Sequence, residues 1–442
     1  MSATQNDDDA AAAGKLVLVT GSTGYIGGRL VPRLLEAGYR VRVLVRSPEK
    51  LRDVPWADEV DIVQGDLTDE DETAKACESV AALYYLVHAM GSGKGFEQRE
   101  AEVARIVARA AARSAVRRII YLGGLHPAAE KLSEHLASRK AVGDELMRGS
   151  VSTIVFQAGV VIGSGSASFE MIRHLSDVLP IMPAPRWVKN RIEPIAVRDV
   201  LHYLVKALEL PEDLNRTFDL GSKDVLTYAQ MMDQYATTAG LPSRKILALP
   251  VLTPHLAGHW INLVTPIPRK MAMPLVESLQ YDAVTKESDI GQYIEPPVGG
   301  LLTYQQAVSL ALERMRAGEV ETRWAAASQH AASDPLPTDP DWAGHTVFMD
   351  RRERHCEADA GKLWDVVEGI GGHNGWYSWP VAWAARGWLD KLAGGVGLRR
   401  GRRDADRLRT GESLDFWRVE EVVRGRSLRL RAEMRLPGRA WL

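Results

Sequence analysis

"KLVLVTGSTGYIGGRL" occupies residues 15–30. Its first part, Leu16-Val17-Leu18-Val19, is an unbroken apolar run with the length and β-branched content of a strand buried on both faces. Thr20-Gly21-Ser22-Thr23-Gly24-Tyr25-Ile26-Gly27 follows at once and opens a helical pattern. The three glycines have separate tasks. Gly21 permits a tight turn, Gly24 lets backbone approach a pyrophosphate, and Gly27 lets helix and sheet pack closely. The helix N-terminus adds N–H groups and positive potential. Strand, glycine loop and helix, with Ser22, Thr23, Tyr25 and Ile26 between the glycines, predict a phosphate cradle.

Working outward, the same rhythm repeats. Arg40–Arg46, Val60–Asp66, Ala82–Ala89, Arg117–Gly124 and Ser152–Gly163 read as strands. Amphipathic helices such as "EQREAEVARIVARAAARSA" separate them. Strand–helix alternation predicts an α/β fold with a doubly wound parallel sheet. Around Ser164 the rhythm breaks, and "RIEPIAVRDVLHYLVKALE", a strand "RTFDLGS" and "LTYAQMMDQYATTAG" predict a smaller lobe that shapes a substrate site.

The end of the second strand selects the cofactor. An acidic residue there binds a ribose 2′-hydroxyl. This chain has Arg46-Ser47, whose charge and hydroxyl suit a 2′-phosphate, so NADP(H) is favoured over NAD(H).

Composition narrows the classes. The 442 residues carry a net charge of −2, which argues against a general nucleic-acid binder. Two cysteines, Cys77 and Cys356, build no disulfide framework and point to a reducing cytoplasm. Residues 1–14 are acidic and rich in small residues, as in a disordered arm. No apolar run is long enough to span a membrane. The nearest, Ile246–Pro268, is broken by prolines and by His255, His259 and Asn262; it reads as a buried helix pair or as a peripheral contact for lipid.

Residues 318–345, rich in Ala, Ser, Pro and Asp, read as a linker between residues 15–163 with 164–317 and a tail over 346–442. Eight of the twelve tryptophans lie from Trp342 onward. Trp376, Trp379, Trp383 and Trp388 read either as core or as the lining of a ligand cavity. Arg399, Arg400, Arg402 and Arg403 read as a solvated turn or as a contact for an anionic partner. Leu428–Leu436 alternates apolar and charged residues with the period of a half-buried strand.

The glycine loop, Gly65-Asp66-Leu67 and Pro194–Val200 resemble the extended and atypical short-chain dehydrogenase/reductases, over about residues 15–315. "YYLVHAMG", "YLGGL" and "IGSGSASFEMIRHL" resemble their NmrA-like and complex I accessory-subunit-like branch. The resemblance implies a Rossmann sheet and an adenine site at Asp66 and Leu67. "GGHNGWYSWPVAWAARGWLDKLAGGVGLRRGRR" and the segment after it resemble a START-like (SRPBCC) domain. That implies a helix-grip α+β fold enclosing an apolar ligand. Because the sequence stops at Leu442 without the long closing helix, a partial domain is expected.

The dehydrogenase family uses Tyr-x-x-x-Lys with a preceding Ser. Here Leu136 stands four before Lys140, and Gly123-Gly124 stand where the serines would. Lys140 remains to hold a ribose. His88, after the fourth strand, and His126, after the fifth, are the alternative acids, and His88 is also a candidate cofactor contact. Two main readings stay open: an NADPH-dependent carbonyl reductase of an apolar substrate, and a non-enzymatic NADP(H)-sensing or assembly protein. A nucleotide-sugar epimerase fits the fold but relies on the same absent tyrosine. Oligomeric state stays open.

Overall fold

The computed structural model describes residues 14–442 except 53, 88–94, 127–131, 180, 250–272, 274–275, 317–320, 323–349, 373, 378–384, 386, 389–401 and 434–439. Seven parallel strands form the main sheet: β1 (Leu16–Thr20), β2 (Arg40–Val45), β3 (Asp61–Gln64), β4 (Ala82–Tyr85), β5 (Arg118–Gly124), β6 (Ser152–Ala158) and β11 (Arg216–Leu220). Their order across the sheet is β11-β6-β5-β4-β1-β2-β3. The order reverses between β1 and β4, which opens the crevice where such sheets bind ligands.

Strand alternation builds two cores. Val17 and Val19 face one side, with Leu30, Val31 and Leu34 of α1 (Gly27–Glu36) and Val200, Leu201 and Leu204 of α6 (Val197–Lys206). Leu16 and Leu18 face the other. There they meet Ala76 of α2 (Glu70–Ala76), Ala104 and Val107 of α3 (Phe96–Arg113), and Val142 and Leu146 of α4 (Glu134–Arg148). The strand at "RTFDLGS" differs from expectation. It belongs to the main sheet, with Arg216–Leu220 paired in parallel with Ile154–Ala158. Phe218 at its centre is fully buried against Phe156, so the strand completes the large core instead of the lobe.

The smaller lobe has its own core of Phe169, Ile172, Met231, Tyr235, Tyr304 and Val308. It is built from α5 (Ala167–Val178), α7 (Tyr228–Thr238), α8 (Tyr304–Arg316) and the parallel pair β8 (Ile181–Pro185) and β13 (Lys245–Leu249). Between these lie the short strands β7 (Val161–Ile162), β9 (Arg191–Ile192), β10 (Ile195–Ala196) and β12 (Leu226–Thr227). The N-terminal arm and the apolar segment beyond Leu249, up to Pro268, lie outside the described residues.

The C-terminal region contributes α9 (Ala360–Glu368) and an antiparallel sheet of β14 (Ser413–Leu414), β15 (Trp417–Val423) and β16 (Ser427–Ala432). Leu408, Leu414, Phe416, Val419 and Leu430 form its core. Trp376 stacks on Phe416 at 5.8 Å and donates its indole N–H to Asp415 at 2.7 Å, a core role. Trp388 is exposed, and Trp379 and Trp383 lie outside the described residues. The outer edge of β16 is paired: Leu430 and Leu442 exchange backbone hydrogen bonds of 2.7 and 2.8 Å. Arg402 donates to the Ile370 carbonyl, and Arg403 is buried against Glu412, so these two arginines are structural; Arg399 and Arg400 lie outside the described residues.

Candidate cofactor site

The glycine loop joins β1 to α1. Gly21 has φ +76°, and a Cβ there would meet the Leu86 carbonyl oxygen at 2.7 Å, so two separate constraints demand glycine. Gly24 donates to Gly21 O at 2.9 Å. Among the described residues, a Cβ on Gly24 would meet only that oxygen, at 3.0 Å. A Cβ on Gly27 would collide with the Gly21 backbone, which is why helix and loop lie so close. No side chain caps the N-terminus of α1 at Ile26. The loop is therefore a backbone-walled cradle that fits a pyrophosphate. Thr20 Oγ1 donates to the Tyr84 carbonyl at 2.9 Å and ties the cradle to β4.

Of the side chains between the glycines, Ser22 is 1% exposed and its Oγ has no partner among the described residues. The Tyr25 ring reaches to Gly163. It lies under the Arg29 guanidinium at 4.3 Å, and burial raises its pKa to about 12. Arg29, 2% exposed, donates to the Ser164 carbonyl at 2.8 Å and to the Thr322 carbonyl at 3.0 Å. Thr322 in turn donates to the Tyr25 carbonyl at 2.9 Å. Glu321 pairs with Arg33 and Arg314. The start of the expected linker is thus bound against α1.

Pro32 inside α1 cannot donate to the Gly28 carbonyl. Trp56 does so instead, its indole N–H reaching Gly28 O at 3.1 Å, which pins the connection after β2 to the helix. At the end of β2, Arg46 is half exposed and its guanidinium lies 3.9 Å from Asp66 Oδ2. Ser47 begins the short turn Pro48–Leu51. Asp66 Oδ1 accepts from the Thr68 N–H and hydroxyl at 2.9 and 2.8 Å, and Leu67 is buried. Arg46, Asp66 and Leu67 therefore share the loop edge beside the cradle.

At the other side of the crevice, Leu136 is buried at the position of the missing tyrosine. Tyr121, on β5, is core, and burial raises its pKa to about 12. His126 follows β5; its Nε2 is buried with no hydrogen-bond partner among the described residues. Burial lowers its pKa, Gln157 opposes this, and Lys140 and Lys286 reinforce it. Lys140 is exposed and pairs with Asp144 at 2.6 Å. The structure thus gathers His126, Lys140 and Gln157 near the ends of β5 and β6. His88 lies outside the described residues.

Residues 21–150 match the family described as NAD(P)H-binding, and 342–442 match one described as a protein of unknown function (DUF2867). The chain is 30% identical over 239 residues to the ceramide reductase of Caulobacter vibrioides, covering 52% of this chain and 73% of that one. It belongs to the NAD(P)-binding Rossmann family of short-chain dehydrogenase/reductase and NmrA-like proteins. The 3 beta-hydroxysteroid dehydrogenase/Delta 5-->4-isomerase of Mycobacterium tuberculosis is 38% identical to it over 69 residues, 16% of this chain and 18% of that one. The Citrobacter triphenylmethane reductase, solved with NADP(H), shares the family's fold at a TM-score of 0.52. Its identity is 18%, over 67% of this chain and 99% of that one. NAD(P)H binding is the property of the family whose model covers residues 21–150, the glycine loop included. Among the described residues no helix is long and apolar enough to cross a membrane.

Proposed function

We propose that the protein is an NADPH-dependent reductase of a carbonyl on a largely apolar, lipid-like substrate, working without the family's tyrosine. The observation that carries this is the glycine cradle with Arg46, not an acid, at the end of β2. Gly21 and Gly24 receive the pyrophosphate through backbone, Arg46 and Ser47 receive the 2′-phosphate, and Asp66 and Leu67 flank the adenine. Charge-assisted hydrogen bonds from a guanidinium favour NADP(H) over NAD(H). When bound, the nicotinamide supplies hydride to a carbonyl carbon.

Leu136 has no proton to give. His126 takes that place in this reading, with His88 as the second candidate and Lys140 as a ribose contact. Because burial lowers its pKa, His126 is neutral at neutral pH. A neutral imidazole orients a carbonyl oxygen through its N–H and passes on a proton drawn from solvent. The apolar stretch Ile246–Pro268 and the ceramide and steroid named for two relatives support an apolar substrate. The C-terminal domain is read as a START-like module that helps enclose it, joined through residues 318–345. The cytoplasm is the compartment this reading requires.

The test is titration with NADPH and NADH, then cofactor consumption against carbonyls bearing long acyl chains or fused rings. NADPH should bind several-fold tighter than NADH, and turnover should be confined to the apolar carbonyls. Tight NADPH binding without consumption on any of them would replace the reductase with a nucleotide-sensing protein. Equal affinity for both cofactors would remove the NADP(H) assignment.

A further inference from the structure

A cavity of about 420 Å³ lies where the C-terminal domain meets the glycine-loop domain. Ser22, Thr23 and Lys50 line it from one side, and Arg409, Thr410 and Ser413 from the other. The two domains touch here: a Cβ on Gly411 would sit 3.7 Å from the Lys50 side chain. We propose that the C-terminal domain is part of the cofactor site, with Arg409 and Thr410 closing over the phosphate-bearing ribose against Ser22, Thr23 and Lys50.

Three observations carry this. The cavity reaches the glycine loop at Ser22 and Thr23. Ser22 Oγ is buried, lacks a partner among the described residues, and can donate to a phosphate or ribose oxygen. Cations from both domains also converge. Lys50 and Arg409 line the cavity from its two sides, and burial, followed by Arg418 and Arg46, lowers the Lys50 pKa.

Acids stand close to these cations as well: Glu433 pairs with Arg418 at 3.0 Å, and Asp66 lies 3.9 Å from Arg46. Arg33 is matched by Glu321 and Arg403 by Glu412, so these pairs leave the cavity's balance unchanged. Glu36 also lines it, but at the far end of ten-residue α1, about 13 Å along the axis from the cradle. Glu59 is the remaining acid of the wall.

The inference rests on the NADP(H) reading and adds to it a wall from outside the Rossmann domain. The test uses the full chain with NADPH, NADH, 2′,5′-ADP and inorganic phosphate as probes. Dissociation constants are measured for the wild type, Arg46→Ala, Lys50→Ala, Arg409→Ala and Arg409→Lys. Arg409→Ala and Lys50→Ala should weaken NADPH and 2′,5′-ADP by about tenfold or more, the loss of one charge-assisted hydrogen bond, and leave NADH within about twofold. Arg409→Lys should recover most of the affinity. Unchanged NADPH binding in Arg409→Ala, or equal losses for NADPH and NADH, overturns the inference. If Arg46→Ala abolishes the preference while Arg409→Ala keeps it, the NADP(H) reading stands and only the inference falls. If the wild type does not distinguish the cofactors, both fall. Phosphate binding that depends on Arg409 without any NADPH preference would assign the cavity to a free anion and overturn the cofactor role.

Discussion

A single atom separates a cradle from a filled turn at Gly24. Its φ lies outside the left-handed region, and among the described residues an added Cβ would meet only Gly21 O, at 3.0 Å. Gly24→Val should therefore leave the fold close to intact and put its side chain where the pyrophosphate must lie. Binding of both cofactors should disappear while the thermal midpoint moves little; retained binding of either would show that the phosphates lie elsewhere. His126 is tested through kcat: His126→Ala should lower it more than tenfold with cofactor affinity unchanged, the minimum expected of a group that moves or orients a proton. An unchanged kcat removes His126 from the chemistry. His135 carries a different consequence. Buried at the start of α4, it accepts a hydrogen bond from Arg139 Nε at 3.1 Å, and burial pushes its pKa down to about 3. The unfolded chain, with its histidine near 6.5, then binds more protons than the folded one between about pH 6.5 and 3. The stability it contributes is present above about pH 6.5 and is lost on acidification, at up to about 1.4 kcal/mol per pH unit. Urea unfolding from pH 7 to 5 should show this slope, and His135→Leu should flatten it.

At the scale of elements, α1 does more than present a dipole to phosphate. It holds a proline that leaves the Gly28 carbonyl to Trp56, and a buried arginine that grips Ser164 and Thr322. Arg29→Met keeps the packing volume and withdraws the donors from two carbonyls. It should cost about 1–3 kcal/mol, the price of unsatisfied buried acceptors, and speed exchange at Glu321 and Thr322. Stability within a few tenths of a kcal/mol would mean that water replaces the guanidinium. Most of this helix was legible in the sequence, because glycine spacing and apolar periodicity are local signals. The Arg29–Thr322 contact was not, since 293 residues separate the partners and a linker composition masked the second. The same limit explains β11. "RTFDLGS" read correctly as a strand, but nothing local says that Phe218 meets Phe156 in the main sheet. The proposed catalytic edge was legible mainly as a departure, Leu136 for tyrosine. His126 was placed by strand order, whereas its neighbour Gln157 needed the fold.

For the whole molecule, the question is whether two domains act as one nucleotide-binding unit. The loop 409–413 is held to β15 by reciprocal backbone hydrogen bonds, Gly411 N to Val419 O at 2.8 Å and Val419 N to Glu412 O at 2.9 Å. Anything that fixes Arg409 and Thr410 must also stabilise those bonds. A ligand that binds only the closed arrangement stabilises it by RT ln(1 + [L]/Kd), about 2.7 kcal/mol at a hundred times Kd, which slows exchange through opening by up to about a hundredfold. NADPH should therefore slow hydrogen exchange at Gly411 and Val419 as well as in the glycine loop. Leu430, bonded to Leu442 on the far side of the sheet, reports the contrast. Its exchange should change less, because local opening there does not release the cavity wall. NADH, lacking the 2′-phosphate, should protect the loop around Gly24 and leave 409–423 largely as in the free protein. Protection by NADPH confined to residues 15–163 would show that the C-terminal domain sits beside the cofactor without binding it. Equal slowing at Val419 and Leu430 by both cofactors would instead mark a general tightening of the chain, with no role for the phosphate at the joint.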